Sequence, residues 1–134
     1  MNTTQKPLFQ EFNIEGVDHI SPDDAVEALQ ENDTVMIDVR EVCEVDAERI
    51  PIDNILYHPM SVIVDRLQQI EKNQHIIVVC MEGVRSTKVA NLLKFQGYKN
   101  VANLDGGLIR WKESGLPTIR PGVSDGGCGC GCGC

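Results

Sequence analysis

Val78-Val79-Cys80-Met81-Glu82-Gly83-Val84-Arg85-Ser86 runs an apolar β-type segment straight into a cysteine, a short glycine-containing loop, an arginine and the start of a helix. A strand that delivers Cys80 to such a loop sets its sulfur at the positive end of the next helix, where backbone N–H groups favour an anion. Thiolate is the nucleophilic form of cysteine, so the setting reads as a reactive site. Gly83 allows a tight turn, Arg85 adds a positive charge across the loop, and Ser86 reads as the helix cap. The competing reading is a small buried cysteine at a strand end, which needs neither Gly, Arg nor a capping Ser close behind it.

Outward from this stretch, helical and strand patterns alternate. Ser21-Pro22-Asp23-Asp24 has a capping Ser, Pro at the first helical position and acids in the first turn, predicting a helix to about residue 31. Residues 35–39 form a short apolar run with Asp38 inside it, as a buried strand ending near a site would. Residues 41–54 are polar and read as irregular, residues 55–57 as a short strand, and residues 61–70 have helical spacing at Val62, Leu67 and Ile70. Residues 75–80 are the most apolar strand, and residues 86–95 a helix with Val89, Leu92 and Leu93 on one face, stopped by Gly97. A last strand spans 101–104, and after the Asp105-Gly106-Gly107 turn residues 108–114 form a helix carrying Trp111 into the core. Such alternation predicts an α/β fold with a parallel sheet covered on both faces. Catalytic loops on such sheets lie at the carboxyl ends of strands, where Cys80 falls.

The chain's 134 residues suit one domain, divided as a flexible segment over 1–14, the domain over 15–118 and a flexible Gly/Cys-rich tail over 119–134. Hydrophobic residues make up 42% but aromatics only 4%, so Ile, Val and Leu must fill the core. Residues 1–9 contain no apolar segment of the secretory kind and no run is long enough to span a bilayer, so a cytoplasmic, reducing location and no membrane partner are expected. The net charge of −8 argues against nucleic acid as a partner. It is unevenly spread: residues 11–53 hold fourteen acids against Arg40 and Arg49, whereas residues 80–112 hold six bases against Glu82 and Asp105. A local basic field around Cys80 would draw in a small anion.

Asp38 and Arg40, two apart on a strand, share a face and are read as a structural pair near the site. His19, His58 and His75 lack metal-ligand spacing and are read as surface or capping residues. Cys43 is weighed as a resolving thiol for Cys80 against an incidental cysteine. The tail ends in Cys128, Cys130, Cys132 and Cys134, alternating with glycine. Such spacing suits a thiophilic ion, Cu(I) or Zn(II), or a carrier of sulfur, against a low-complexity end with no role.

On several spaced motifs the chain resembles the rhodanese homology domain in its single-domain sulfurtransferase form. These are Ile37-Asp38-Val39-Arg40-Glu41, the Cys80-x-x-Gly83-x-Arg85-Ser86 loop, Gly97-Tyr98-x-Asn100-Val101, Leu104-x-Gly106-Gly107 and Trp111, within residues 19–116. The resemblance implies a central five-stranded parallel sheet flanked by helices. It implies a rhodanese-type, thiosulfate sulfurtransferase-like enzyme, with Cys80 cycling through a persulfide and Met81, Glu82, Gly83, Val84, Arg85 and Ser86 binding substrate. It implies no cofactor for catalysis. The partners would be a small sulfur donor, thiosulfate or a persulfide, with a thiophilic acceptor, or a protein that gives or takes sulfur. Phosphatases and arsenate reductases of similar fold hold five residues between Cys and Arg; here there are four, Met81 to Val84, a ring suited to one sulfur atom. The chain departs from the family at Glu48-Arg49-Ile50-Pro51-Ile52-Asp53, where Gly-His and Gly-Ala pairs are absent. Glu82 works against a dianionic donor and favours a persulfide. The alternative is a non-catalytic sulfur-carrier or metal-binding module acting through the tail.

Overall fold

The chain is seen here as a computed structural model that describes residues 1–31 and 33–121. Five strands, β1 (Asp18–Ile20), β2 (Thr34–Asp38), β3 (Ile55–Tyr57), β4 (His75–Val79) and β5 (Val101–Leu104), form one sheet in the order β1-β5-β4-β2-β3. Every pairing is parallel, and β2 and β4 run in register from Thr34 opposite His75 to Asp38 opposite Val79. Four helices, α1 (Pro22–Ala28), α2 (Val42–Ala47), α3 (Val84–Phe95) and α4 (Gly107–Glu113), and a 3₁₀ segment over Ile63–Gln69 cover it.

Period-two alternation sends β4 into two separate cores. Ile76 and Val78 pack with Val35, Ile37, Val89, Leu93 and Tyr98, while Ile77 and Val79 pack with Ile20, Met36, Ala102, Leu104, Leu108 and Trp111. Both clusters are mostly branched aliphatics, as the low aromatic content requires. Trp111 is buried and donates its indole N–H to the Pro117 carbonyl at 2.8 Å.

Several element ends differ from the sequence reading, each for a local reason. The Ser21 hydroxyl caps α1, accepting from Asp24 N–H at 3.2 Å, but the helix stops at Ala28. The next amides, of Gln30 and Glu31, reach back only three residues and tighten the end. The segment read as irregular over 41–54 contains α2, opened by the Glu44 carboxylate accepting the Glu41 N–H at 2.9 Å. Within 61–70 the helix is 3₁₀ and spans Ile63–Gln69, and the Tyr98 hydroxyl lies against its end, 2.7 Å from Leu67 O and 3.0 Å from Ile70 O. Helix α3 starts two residues early because Gly83, at φ +100°, caps it, so Ser86 lies inside the first turn and is not the cap. At its other end Tyr98 N–H bonds Leu93 O and Gly97 N–H bonds Lys94 O about a glycine at φ +96°, a Schellman stop. Strand β1 had no reading in the sequence at all: three residues long, it is held by β5 and by an antiparallel bridge from Thr4 to His19.

The first fourteen residues, set apart in the sequence as a flexible segment, run against the domain. Leu8 and Phe9 donate their N–H groups to the Asp105 carboxylate at 2.6 and 3.0 Å, and the Gln10 side chain enters behind the Cys80 loop. At the other end Arg49 and Ile119 exchange both backbone hydrogen bonds at 2.9 Å. Glu48 beside them takes Thr118 Oγ1 at 2.6 Å, Lys112 Nζ at 3.0 Å and Arg120 at 3.5 Å. Cys128, Cys130, Cys132 and Cys134 lie outside the described residues.

Candidate active site

Strand β4 ends at Val79, so Cys80 begins the loop at the carboxyl edge of the sheet and α3 starts four residues later. Cys80 is 1% exposed, and its sulfur accepts Gly83 N–H at 3.1 Å and Ser86 N–H at 3.3 Å, with Ser86 Oγ at 3.2 Å. Two amides at a helix start therefore point at the sulfur, as an anion there would require. Gly83 is demanded twice. Its positive φ suits glycine, and a Cβ would lie 1.9 Å from Gln10 Oε1.

The sulfur lies at the floor of a pocket of about 300 Å³ lined by Glu44, Met81, Glu82, Val84 and Arg85. Met81, Glu82, Val84 and Arg85 face the pocket, while Gly83 and Ser86 are buried beneath it and hold the sulfur. Arg85 neither reaches for the loop carbonyls nor stands alone. Its guanidinium forks onto Glu44, Nη1 to Oε2 at 2.7 Å and Nη2 to Oε1 at 2.8 Å. The bonds hold Glu44 below its ordinary carboxylate value, burial opposing, and raise Arg85 above its own. The positive charge expected over Cys80 is therefore matched by one acid, and exposed Glu82 adds a second.

The loop is braced by α4. Leu108 N–H donates to Cys80 O at 2.9 Å and Ile109 N–H to Met81 O at 3.1 Å, so the free amides of the α4 N-terminus take up the loop's carbonyls. Gly107 permits this approach: a Cβ there would lie 2.5 Å from Met81 O and 2.7 Å from Cys80 O. Asp38 and Arg40 pair as read, Nη2 to Oδ2 at 2.8 Å, both buried. Arg40 Nη1 also donates to Glu44 O at 3.3 Å, tying the pair to α2. Cys43 is buried in that helix.

Two of the three histidines are placed differently from expectation. His19 is fully buried on β1, bonded through Nε2 to Asn13 Oδ1 at 2.8 Å and through Nδ1 to Asn103 Nδ2 at 3.1 Å. Burial lowers its proton affinity, with Asp105 and Asp18 opposing. His58 is buried too and is lowered by burial and by Arg66, whereas half-exposed His75 faces Asp33 at 3.6 Å. Among the described residues no group of three His, Cys, Asp or Glu side chains could hold a metal ion, and no helix is long and apolar enough to cross a membrane.

Sequence reasoning missed Glu44, Gln10, His19 and Asn103. Only Asn103 left a signal, as a polar residue inside the apolar Val101–Leu104 run.

Residues 21–114 match the model of the rhodanese-like domain. A protein of Allochromatium vinosum named sulfurtransferase is 36% identical over 89 residues, covering 66% of this chain and 81% of that protein. The thiosulfate sulfurtransferase GlpE of Pseudoalteromonas translucida is 33% identical over 94 residues, covering 70% of this chain and 88% of that protein. A crystal structure of a rhodanese-like domain protein from Staphylococcus aureus superposes with a TM-score of 0.65 at 33% identity, covering 74% of this chain and 95% of that one.

Proposed function

The chain belongs to the rhodanese-like family, and from that premise we propose that it moves a sulfane sulfur from a donor to a thiophilic acceptor through a persulfide on Cys80. The observation that carries this reading is a single sulfur held by two amides and a hydroxyl on the floor of a small pocket. Cys80 loses its thiol proton to solvent, and the thiolate attacks the outer sulfur of the donor. The new Sγ–S bond forms as the donor's S–S bond breaks, and the electron pair leaves with sulfite from thiosulfate or with a thiolate from a persulfide. The amides of Gly83 and Ser86 stay fixed on Sγ throughout, so little reorganisation opposes the step. An acceptor thiolate then attacks the outer sulfur, and Cys80 leaves as thiolate.

Glu44 and Glu82 about the pocket favour a donor with little negative charge, a protein or low-molecular-weight persulfide, over thiosulfate. No cofactor enters these steps. A reducing cytoplasm suits a resting thiol. Incubation with a persulfide donor should add the mass of one sulfur atom to Cys80, and Cys80→Ser should abolish both the addition and turnover to cyanide or a thiol. Retained turnover in that variant would remove Cys80 from the mechanism.

A second reading concerns the tail. Four cysteines alternating with glycine favour a thiolate site for Cu(I) or Zn(II), or a station that accepts sulfur from Cys80 and passes it to a partner protein. Metal content and persulfide mapping of the full chain distinguish the two uses.

A further inference from the structure

Behind Cys80 lies a continuous chain of polar side chains whose donor–acceptor sense is decided by backbone groups. Gly106 N–H donates to Gln10 Oε1 at 2.8 Å, and Gln10 Nε2 donates to the carbonyls of Phe12 at 2.9 Å and Gly83 at 3.2 Å. A backbone N–H only donates and a carbonyl only accepts, so the Gln10 carboxamide has one orientation. Asn103 Nδ2 then donates to Gln10 Oε1 at 3.0 Å, because the reversed amide would set two oxygens against each other. Its second hydrogen goes to His19 Nδ1, which makes that nitrogen an acceptor and leaves the ring proton on Nε2, donating to Asn13. Asn103 Oδ1 faces Ser86, whose hydroxyl donates to it at 2.5 Å. A serine has one hydroxyl hydrogen, and here it is committed to Asn103. Toward Cys80 Sγ, 3.2 Å away, Ser86 offers only lone pairs.

We propose that Gln10, far from the loop in sequence, is a positioning residue for Cys80: by fixing the sense of the Gln10–Asn103–Ser86 chain it makes the Ser86 hydroxyl an acceptor, so that the resting sulfur is held as an S–H donor. The same chain holds His19 neutral with its proton on Nε2, in keeping with its burial. The loop amides of Gly83 and Ser86 favour a charged sulfur, and the Ser86 oxygen opposes them by accepting from a protonated one. The inference rests on Cys80 being the sulfur that reacts.

The test uses the full chain and two readouts. In the wild-type protein, long-range proton–nitrogen NMR correlations should show His19 as the neutral Nε2–H tautomer at neutral pH; an Nδ1–H tautomer or an imidazolium overturns the proposal and needs no variant. The second readout is the rate of Cys80 alkylation by iodoacetamide near neutral pH, followed peptide by peptide. Asn103→Ala frees the Ser86 hydroxyl to donate to sulfur, and the rate should rise about tenfold, the scale of one hydrogen bond to a charged group. Asn103→Ala with Ser86→Ala should lose that rise, whereas a rise that persists means loosened packing and overturns the assignment. Gln10→Ala should give an intermediate rise with His19 sampling both tautomers; a wild-type rate with a single tautomer removes Gln10 from the role. Neither readout uses a sulfur donor, so each can fail while turnover through Cys80 stands, and a chain inactive toward every donor would leave both results intact.

Discussion

Glu44 uses one carboxylate to open α2 at the Glu41 N–H and to fork onto Arg85, so the charge on the Cys80 loop is set by a residue outside that loop. In the unfolded chain Glu44 titrates near its ordinary value of 4.5, and in the fold it lies lower. The pair's contribution is therefore complete above about pH 4.5 and is lost as pH falls through the folded value. Glu44→Gln should unfold at lower urea than the wild type at neutral pH, by about 1 kcal/mol for a partly exposed pair, and the gap should close in acid. A gap that stays constant with pH would mean the loss is of packing. Glu82→Lys should lower the KM for thiosulfate by about fivefold while leaving that for an uncharged trisulfide unchanged, since only the dianion senses the reversal. An equal change for both donors would deny Glu82 an electrostatic role. At this scale the sequence exposed what is encoded locally: Cys80, Gly83 and Arg85 sit within six positions and share one loop and the helix start behind it. Arg85's partner was hidden because Glu44 lies 41 positions away on a helix that no Ser, Thr, Asp or Asn cap announces.

The N-termini of α3 and α4 converge on the Cys80 loop, one donating to its sulfur and the other to its carbonyls. That convergence makes Gly107 as important to the site as Gly83, although it stands 27 positions after Cys80. Gly107→Ala places a Cβ against the backbone of Cys80 and Met81, which cannot move aside as a side chain could. Turnover should fall roughly tenfold or more through displacement of the loop, with a stability loss of about 1–3 kcal/mol from the positive φ of +63°. Turnover unchanged in a folded variant would show that α4 does not hold the loop. Strands β2 and β4 were legible because both their faces are buried, which leaves apolar runs with only Asp38 set into the first. Strand β1 was not: three residues carry too little alternation, and the Thr4 bridge that helps hold it is a contact outside its own pattern. Helix α2 was obscured by its six-residue length and by acids that read as loop.

Across the whole molecule, the alternation of strands and helices and the aliphatic composition were enough to place Cys80 at the carboxyl edge of a parallel sheet, and the structure places it there. What the pattern could not give is how the chain ends attach, since Gln10 and Glu48 are single polar residues with no periodicity. Deleting residues 124–134 should change unfolding stability by under about 0.5 kcal/mol and leave small-molecule turnover intact, because no apolar side chain other than cysteine lies beyond Val123. The same deletion should abolish tight Cu(I) or Zn(II) uptake; metal stoichiometry that survives it would rule the tail out as the site. The clasp at Glu48 and Arg49 gives that tail a fixed point of origin. Ile119 is pinned to Arg49, just past the end of α2, and Cys128 follows nine residues later, a contour of about 30 Å. Any sulfur handed from Cys80 to the tail is then a first-order step at an effective concentration in the millimolar range, indifferent to dilution of the protein, and a free thiol must reach that concentration to compete for it.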